Sequence, residues 1–252
     1  MKKFLALILC AVLALSFASC ASFRTFEEIE ADGKLVVATN ATFPPYEFRD
    51  DNGNFAGIDI EIIQAVGEYL GLEVEITDIE FDAIITSVSS GKADIGIAGM
   101  TVTEDRLKNV DFSDTYATGR QVVITAADSG IKGVADLAGK KVGVQTGTTG
   151  DIYASDDSSI GSVEHFNSGT EAVLALSQGK IDAVIIDNEP AKKYIEKYEN
   201  LVIIDEEYTE EEYAMCFAKG NTELVEKVNE ALKALKENGE LQKIIDKYIA
   251  AK

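Results

Sequence analysis

Ser90-Gly91-Lys92-Ala93-Asp94-Ile95-Gly96-Ile97 returns 88 residues on as Gln178-Gly179-Lys180-Ile181-Asp182-Ala183-Val184-Ile185, and each copy follows an amphipathic stretch at helical spacing. Each copy reads as a helix stopped at glycine and turned into a strand with an aspartate at its start. A repeated unit of this kind implies two similar lobes. The carboxyl ends of the two strands fall at Gly99 and Asp187, again 88 residues apart. Open α/β sheets bind ligands beyond the carboxyl ends of their strands. Two facing lobes would therefore bring Gly99 and Asp187 together across a cleft.

Upstream of the first copy, Lys34 to Thr39 reads as a buried parallel strand and Asp59 to Leu70 as an amphipathic helix ended by Gly71. Leu72, Val74 and Ile76 alternate as the next strand. Helix (Phe81 to Ser89), strand (Ala93 to Ala98) and short helix (Thr103 to Lys108) continue a βαβ alternation, which predicts an α/β fold with mainly parallel sheets. Asp114 to Thr125 reads as one crossing between lobes and Glu211 to Met215 as the return, the pair forming a hinge. Helices Thr222 to Glu237 and Glu240 to Ala250, divided by Asn238-Gly239, would pack back on the first lobe. The expected division is 34–119 with 215–252 as lobe 1, and 120–214, hinge strands included, as lobe 2.

The 252 residues carry 44 Asp plus Glu against 23 Lys plus Arg, a formal net charge of −21. That charge excludes a nucleic-acid partner held through its phosphates. Hydrophobic residues at 46% and charged residues at 27% describe a globular chain with a real core. Lys2 and Lys3 precede an almost unbroken apolar run of 14 residues, Phe4 to Phe17, too short to span a bilayer and suited to a signal peptide. Its end, Phe17-Ala18-Ser19-Cys20, resembles the lipobox of bacterial lipoproteins, with Phe17 where an aliphatic residue is usual. Residues 1–19 are then a signal peptide and 20–33 a tether lipidated at Cys20. Of the three cysteines, Cys10 would leave with the signal and Cys20 would take lipid. Cys216, in Tyr213-Ala214-Met215-Cys216-Phe217, is expected as a buried structural thiol. The single histidine, His165, has no ligand-spaced companions, so neither a metal nor another cofactor is expected.

Arginine occurs four times, and Arg106 is the one placed for chemistry. Thr103 is a candidate N-cap, so the guanidinium would stand in the first turn of a helix just past the strand end at Gly99, a fork suited to a carboxylate. Asp187 closes a buried strand and asks for a cation, although an N-cap role for a helix Asn188 to Glu199 competes. Val142-Gly143-Val144-Gln145-Thr146-Gly147-Thr148-Thr149-Gly150 is a strand opening through a Gly/Thr loop into a helix, rich in donors and without a phosphate-loop or dinucleotide glycine pattern. Phe43-Pro44-Pro45-Tyr46-Glu47-Phe48 and Phe81 supply aromatics after strand ends, able to sandwich a stem or planar group, with core packing as the alternative.

Together with Gly57-Ile58-Asp59, Ala98-Gly99-Met100-Thr101-Val102-Thr103-Glu104-Asp105-Arg106 and Asp111-Phe112-Ser113-Asp114, these segments closely resemble the polar amino acid-binding proteins of ABC importers, extracellular solute-binding family 3. The likeness runs over about residues 30 to 250. It implies a two-lobed, type II periplasmic-binding-protein-like fold that closes on one amino acid and delivers it to a membrane permease with its ATPase. A monomer is expected, and the lipobox places it, lipid-anchored, outside the cytoplasm, with a Gram-positive surface favoured over a periplasm. By the resemblance, Arg106 and the N–H groups of Thr101 and Thr149 would hold the ligand α-carboxylate. The Gly99 carbonyl, the Thr101 hydroxyl and Asp187 would hold the α-ammonium, and Phe43 and Phe81 would sandwich the side chain. Thr148, Met100, Asn40 and Gln145 complete the expected set, with Glu47 and Asn188 nearby. Several members that take cationic or amide ligands carry Asp where this chain has Asn40, so glutamine and arginine both remain open. A dehydratase on the same scaffold and a sensory receptor domain are the rival readings.

Overall fold

The computed structural model describes residues 23–204, 206 and 209–249, so the expected signal peptide and Cys20 lie outside the described residues. Strands follow in chain order as β1 Lys34–Thr39, β2 Thr42–Phe43, β3 Glu47–Arg49, β4 Phe55–Ala56, β5 Glu73–Asp78, β6 Ile95–Gly96 and β7 Val110–Phe112. Then come β8 Ala117–Ala126, β9 Lys141–Gln145, β10 Ser162–Phe166, β11 Ala183–Asp187, β12 Leu201–Ile203, β13 Thr209–Tyr213 and β14 Cys216–Ala218. One sheet has the order β5-β1-β6-β14-β7, a second has β10-β9-β11-β8-β12 with β13 also paired to β8, and β2-β3-β4 form a small third.

The two copies of the repeat become β6 and β11, and each has the same neighbours. β6 runs parallel to β1 and antiparallel to β14, while β11 runs parallel to β9 and antiparallel to β8. The repeated aspartates do the same work: Asp94 Oδ2 accepts the Val36 N–H and Asp182 Oδ2 accepts the Lys141 N–H, each at 2.8 Å. Each carboxylate thus satisfies a backbone donor at the start of the neighbouring strand, which fixes the register locally.

Three expectations need correction. The sheets are mixed rather than mainly parallel, because β14 and β8 enter each lobe from the other and run against its strands; local βαβ periodicity carries no trace of those entries. The first crossing strand starts at Ala117, so residue 119 falls inside it. The stretch called a tether is packed from Arg24 onward. Phe26–Asp32 is a helix with a Thr25–Glu28 capping box, its Phe26 and Ile29 are buried, and Arg24 forks onto Asp94 through Nε (3.0 Å) and Nη2.

Crossing strands β8 and β13 lie side by side, antiparallel, with Ala117 opposite Tyr213 and Gln121 opposite Thr209. Helices Thr222–Glu237 and Glu240–Tyr248, parted at Gly239 (φ 78°), pack with helix Ile58–Leu70. Cys216 is fully buried, and burial pushes its thiol up to about 12, which makes it a packing residue. No helix among the described residues is long and apolar enough to cross a membrane.

Candidate functional site

Beyond the carboxyl ends of β6 and β11 lies a narrow cavity of about 10 Å³. Asn40, Phe43, Glu47, Phe81, Gly99, Thr101 and Arg106 line it from one lobe, and Gln145, Thr148, Thr149 and Asp187 from the other. The lobes are shut upon each other. Arg106 Nη2 donates to the Gly147 carbonyl at 3.0 Å, Gln145 Nε2 to Asn40 Oδ1 at 2.9 Å and Tyr194 Oη to the Thr42 carbonyl at 2.6 Å.

Arg106 stands where the capping argument put it. The Thr103 hydroxyl accepts the Arg106 N–H at the start of helix Glu104–Leu107. The guanidinium, 6% exposed, donates through Nη1 to the Thr101 carbonyl (2.7 Å) and lies 5.3 Å over the Phe81 ring. Gly99 has φ +51°, and a Cβ there would meet Phe43 Cε1 at 3.0 Å, so glycine lets the aromatic ring close on the backbone.

Asp187 precedes helix Asn188–Ile195 but makes no side-chain cap bond. Instead, Tyr213 Oη donates to its Oδ1. Burial first, then the charge of Glu211, raises the Asp187 carboxyl above its ordinary range. Tyr213 meets Tyr46 edge to face at 5.2 Å and lies on Gly119, where a Cβ would stand 1.9 Å from its hydroxyl. Only glycine leaves room for that tyrosine.

Asn40 has a different task from a charge partner. Its Nδ2 donates to the Ile79 carbonyl (2.8 Å), and its Oδ1 accepts from Thr42 Oγ1 and from Gln145 Nε2. The pair is a neutral bridge between lobes that an aspartate would turn into a buried charge. The Thr148 hydroxyl is also committed, donating to the Gln145 carbonyl and accepting the Asp151 N–H as the helix cap. Two expected residues do not line the cavity. Met100 is fully buried and packs in a cluster with Val88, Val110 and Cys216. Asn188 accepts the Arg120 N–H and donates to Glu189.

Beside Glu47, which the sequence placed nearby, the site holds two residues to which the sequence alone gave no role, Asp59 and Glu211. Asp59 Oδ2 accepts the Gly99 N–H (2.7 Å) and Tyr116 Oη (2.8 Å), and burial raises its carboxyl to about 6. Glu47 is 1% exposed, its carboxyl pairs with that of Asp59, and burial followed by the Asp59 charge raises it well above the usual range. Glu211, on β13, takes the hydroxyls of Thr101 and Thr149 and the amide of Gln121. Alternating burial along Thr209–Tyr213, with Glu211 and Tyr213 inward, was the available signal, hidden in a run of three glutamates. Among the described residues, four buried carboxylates of the site therefore stand with a single buried cation, Arg106.

Known proteins carry the same architecture. The chain is 34% identical over 253 residues to the arginine-binding extracellular protein ArtP of Bacillus subtilis (strain 168), covering 98% of each. It is 29% identical over 243 residues to the L-cystine-binding protein TcyJ of Escherichia coli (strain K12), covering 95% of this chain and 91% of that one. The solved structure of an ancestral arginine-binding protein bound to arginine superposes with a TM-score of 0.82 at 41% identity, over 86% of this chain and 99% of the other. The sequence profile of the bacterial extracellular solute-binding proteins, family 3, matches residues 35–251, and the chain belongs to that family.

Proposed function

We propose that this protein captures a free cationic L-amino acid, arginine in particular, by lobe closure and hands it to an ABC importer. The observation that carries the reading is Glu47, a buried carboxyl that faces another acid, Asp59, with no cation paired to it among the described residues, on the wall of a cavity that already holds Asp187. Ionising a buried carboxyl that no cation faces is costly, and a ligand that brings a cation removes the cost. Arginine brings two cations and one carboxylate. Its α-carboxylate would meet Arg106 with the N–H groups of Thr101 and Thr149, and its α-ammonium would meet Asp187, the Gly99 carbonyl and the Thr101 hydroxyl. The guanidinium plane would lie between Phe43 and Phe81 and reach Glu47. The arginine-binding relatives support the choice. Bridging contacts of this kind bias a two-lobed clamp toward its closed form.

On this reading the mature chain is a binding protein rather than an enzyme, working as a monomer beside a permease and its ATPase. The crossing strands Ala117–Ala126 and Thr209–Tyr213 divide the chain into lobe 1, before the first and after the second, and lobe 2 between them. Lipid on Cys20 holds the protein at the outer face of a membrane, on a Gram-positive surface. The test is a thermal-shift and calorimetric screen of refolded, ligand-stripped mature protein against arginine, lysine, ornithine, histidine, glutamine and cystine. Arginine should give the largest stabilisation, and Arg106→Ala should abolish it. A screen in which no amino acid stabilises the protein refutes the proposal.

A further inference from the structure

Glu211 reaches the site from the hinge itself. It lies on β13, 4% exposed, and its Oε2 accepts Thr101 Oγ1 from lobe 1 at 2.8 Å and Thr149 Oγ1 from lobe 2 at 2.9 Å. The same oxygen takes Gln121 Nε2 of the other crossing strand at 3.2 Å. One hinge carboxylate oxygen thus joins both lobes at two residues of the cavity wall.

A threonine hydroxyl has a single proton. In Thr101 and Thr149 that proton is spent on Glu211, so whatever either hydroxyl presents to the cavity is a lone pair. Threonine χ1 is stiff, and in a buried network the direction of each hydrogen bond is strongly held. We infer that Glu211 is a positioning residue that fixes Thr101 and Thr149 as acceptors, and so selects a ligand with donors at its α-position, an ammonium, against one whose α-oxygen can only accept. Asp187 supplies the countercharge, whereas Glu211 supplies the polarity of the hydroxyls around it. The inference rests on the amino acid reading above and adds a residue that never touches the ligand.

The experiment compares L-arginine with its α-keto analogue by calorimetry on the full mature chain. Wild type should prefer arginine strongly. In Glu211→Ala the hydroxyls are free to turn and donate to the keto oxygen, so the preference should shrink by about ten-fold, the equivalent of one hydrogen bond reversed. Glu211→Gln, whose amide oxygen can still accept both hydroxyls, should restore most of the preference. A brace with no effect on polarity would weaken both ligands alike, and an unchanged ratio in Glu211→Ala overturns the inference while leaving arginine binding by wild type intact. Should Glu211→Ala fail to fold, Thr101→Val in the same assay decides: it should lower the ratio, and an unchanged ratio overturns the inference. Failure of wild type to bind any amino acid would refute the underlying reading and this inference with it.

Discussion

Replacing Glu47 by glutamine should act in opposite directions on the ligand-free protein and on its complex with arginine. Burial and the nearby Asp59 hold the Glu47 carboxyl well above its ordinary range. The folded chain therefore keeps a proton that the unfolded chain releases above about pH 4.3. The stability of the ligand-free protein accordingly falls as pH rises from that point toward the folded pKa. Each unit of elevation costs about 1.4 kcal/mol once both forms have titrated. Glutamine escapes this cost, and its amide can still donate to the Asp59 carboxylate that Glu47 faces. At pH 7 the variant should melt higher, by roughly 2–4 °C for each kcal/mol gained, and at pH 4 it should gain little. Arginine affinity should move the other way. Loss of a charge-assisted hydrogen bond of about 1.5–3 kcal/mol weakens binding roughly 10- to 150-fold, while binding of neutral glutamine changes far less. Differential scanning calorimetry at the two pH values and titration calorimetry with both ligands read these effects. Unchanged arginine affinity, or a lower melting temperature at pH 7, would refute the assignment of Glu47 to the ligand cation.

Gly119→Ala puts a methyl where the Tyr213 hydroxyl lies, 1.9 Å from the Cβ, and should dislodge that tyrosine from Asp187. We expect a loss of about 1–3 kcal/mol in thermal unfolding together with weaker arginine binding; wild-type behaviour in both assays would contradict the packing described. Arg24→Ala removes the fork from Asp94, a carboxylate 3% exposed, and should cost about 2 kcal/mol of stability with arginine affinity unchanged. A variant as stable as wild type would mean that the first helix is not anchored through this pair.

Much of the fold was legible because its signals are local. The glycine-stopped helix and following strand recur at Ser90 and Gln178 because each lobe needs the same turn and the same aspartate to secure its neighbouring strand, and those contacts belong to short motifs. Thr103 and Arg106 were legible for the same reason, since a cap and the first turn of its helix lie within a few residues. Asp187 was placed at a strand end correctly, but its partner is Tyr213 from the returning crossover rather than the helix it precedes.

What tertiary structure alone decided are the meetings between distant segments. Thr101 and Glu211 are 110 residues apart, Asn40 and Gln145 are 105 apart, and Gly99 and Asp59 are 40 apart. No periodicity in the chain encodes such pairs, because a side chain's period reports only which face of its own helix or strand is buried. The same limit hid the antiparallel entry of β8 and β14. Sequence determined the two lobes and the strand ends that bear the cleft; lobe closure decided which polar groups satisfy one another there and which carboxyls were left without a cation.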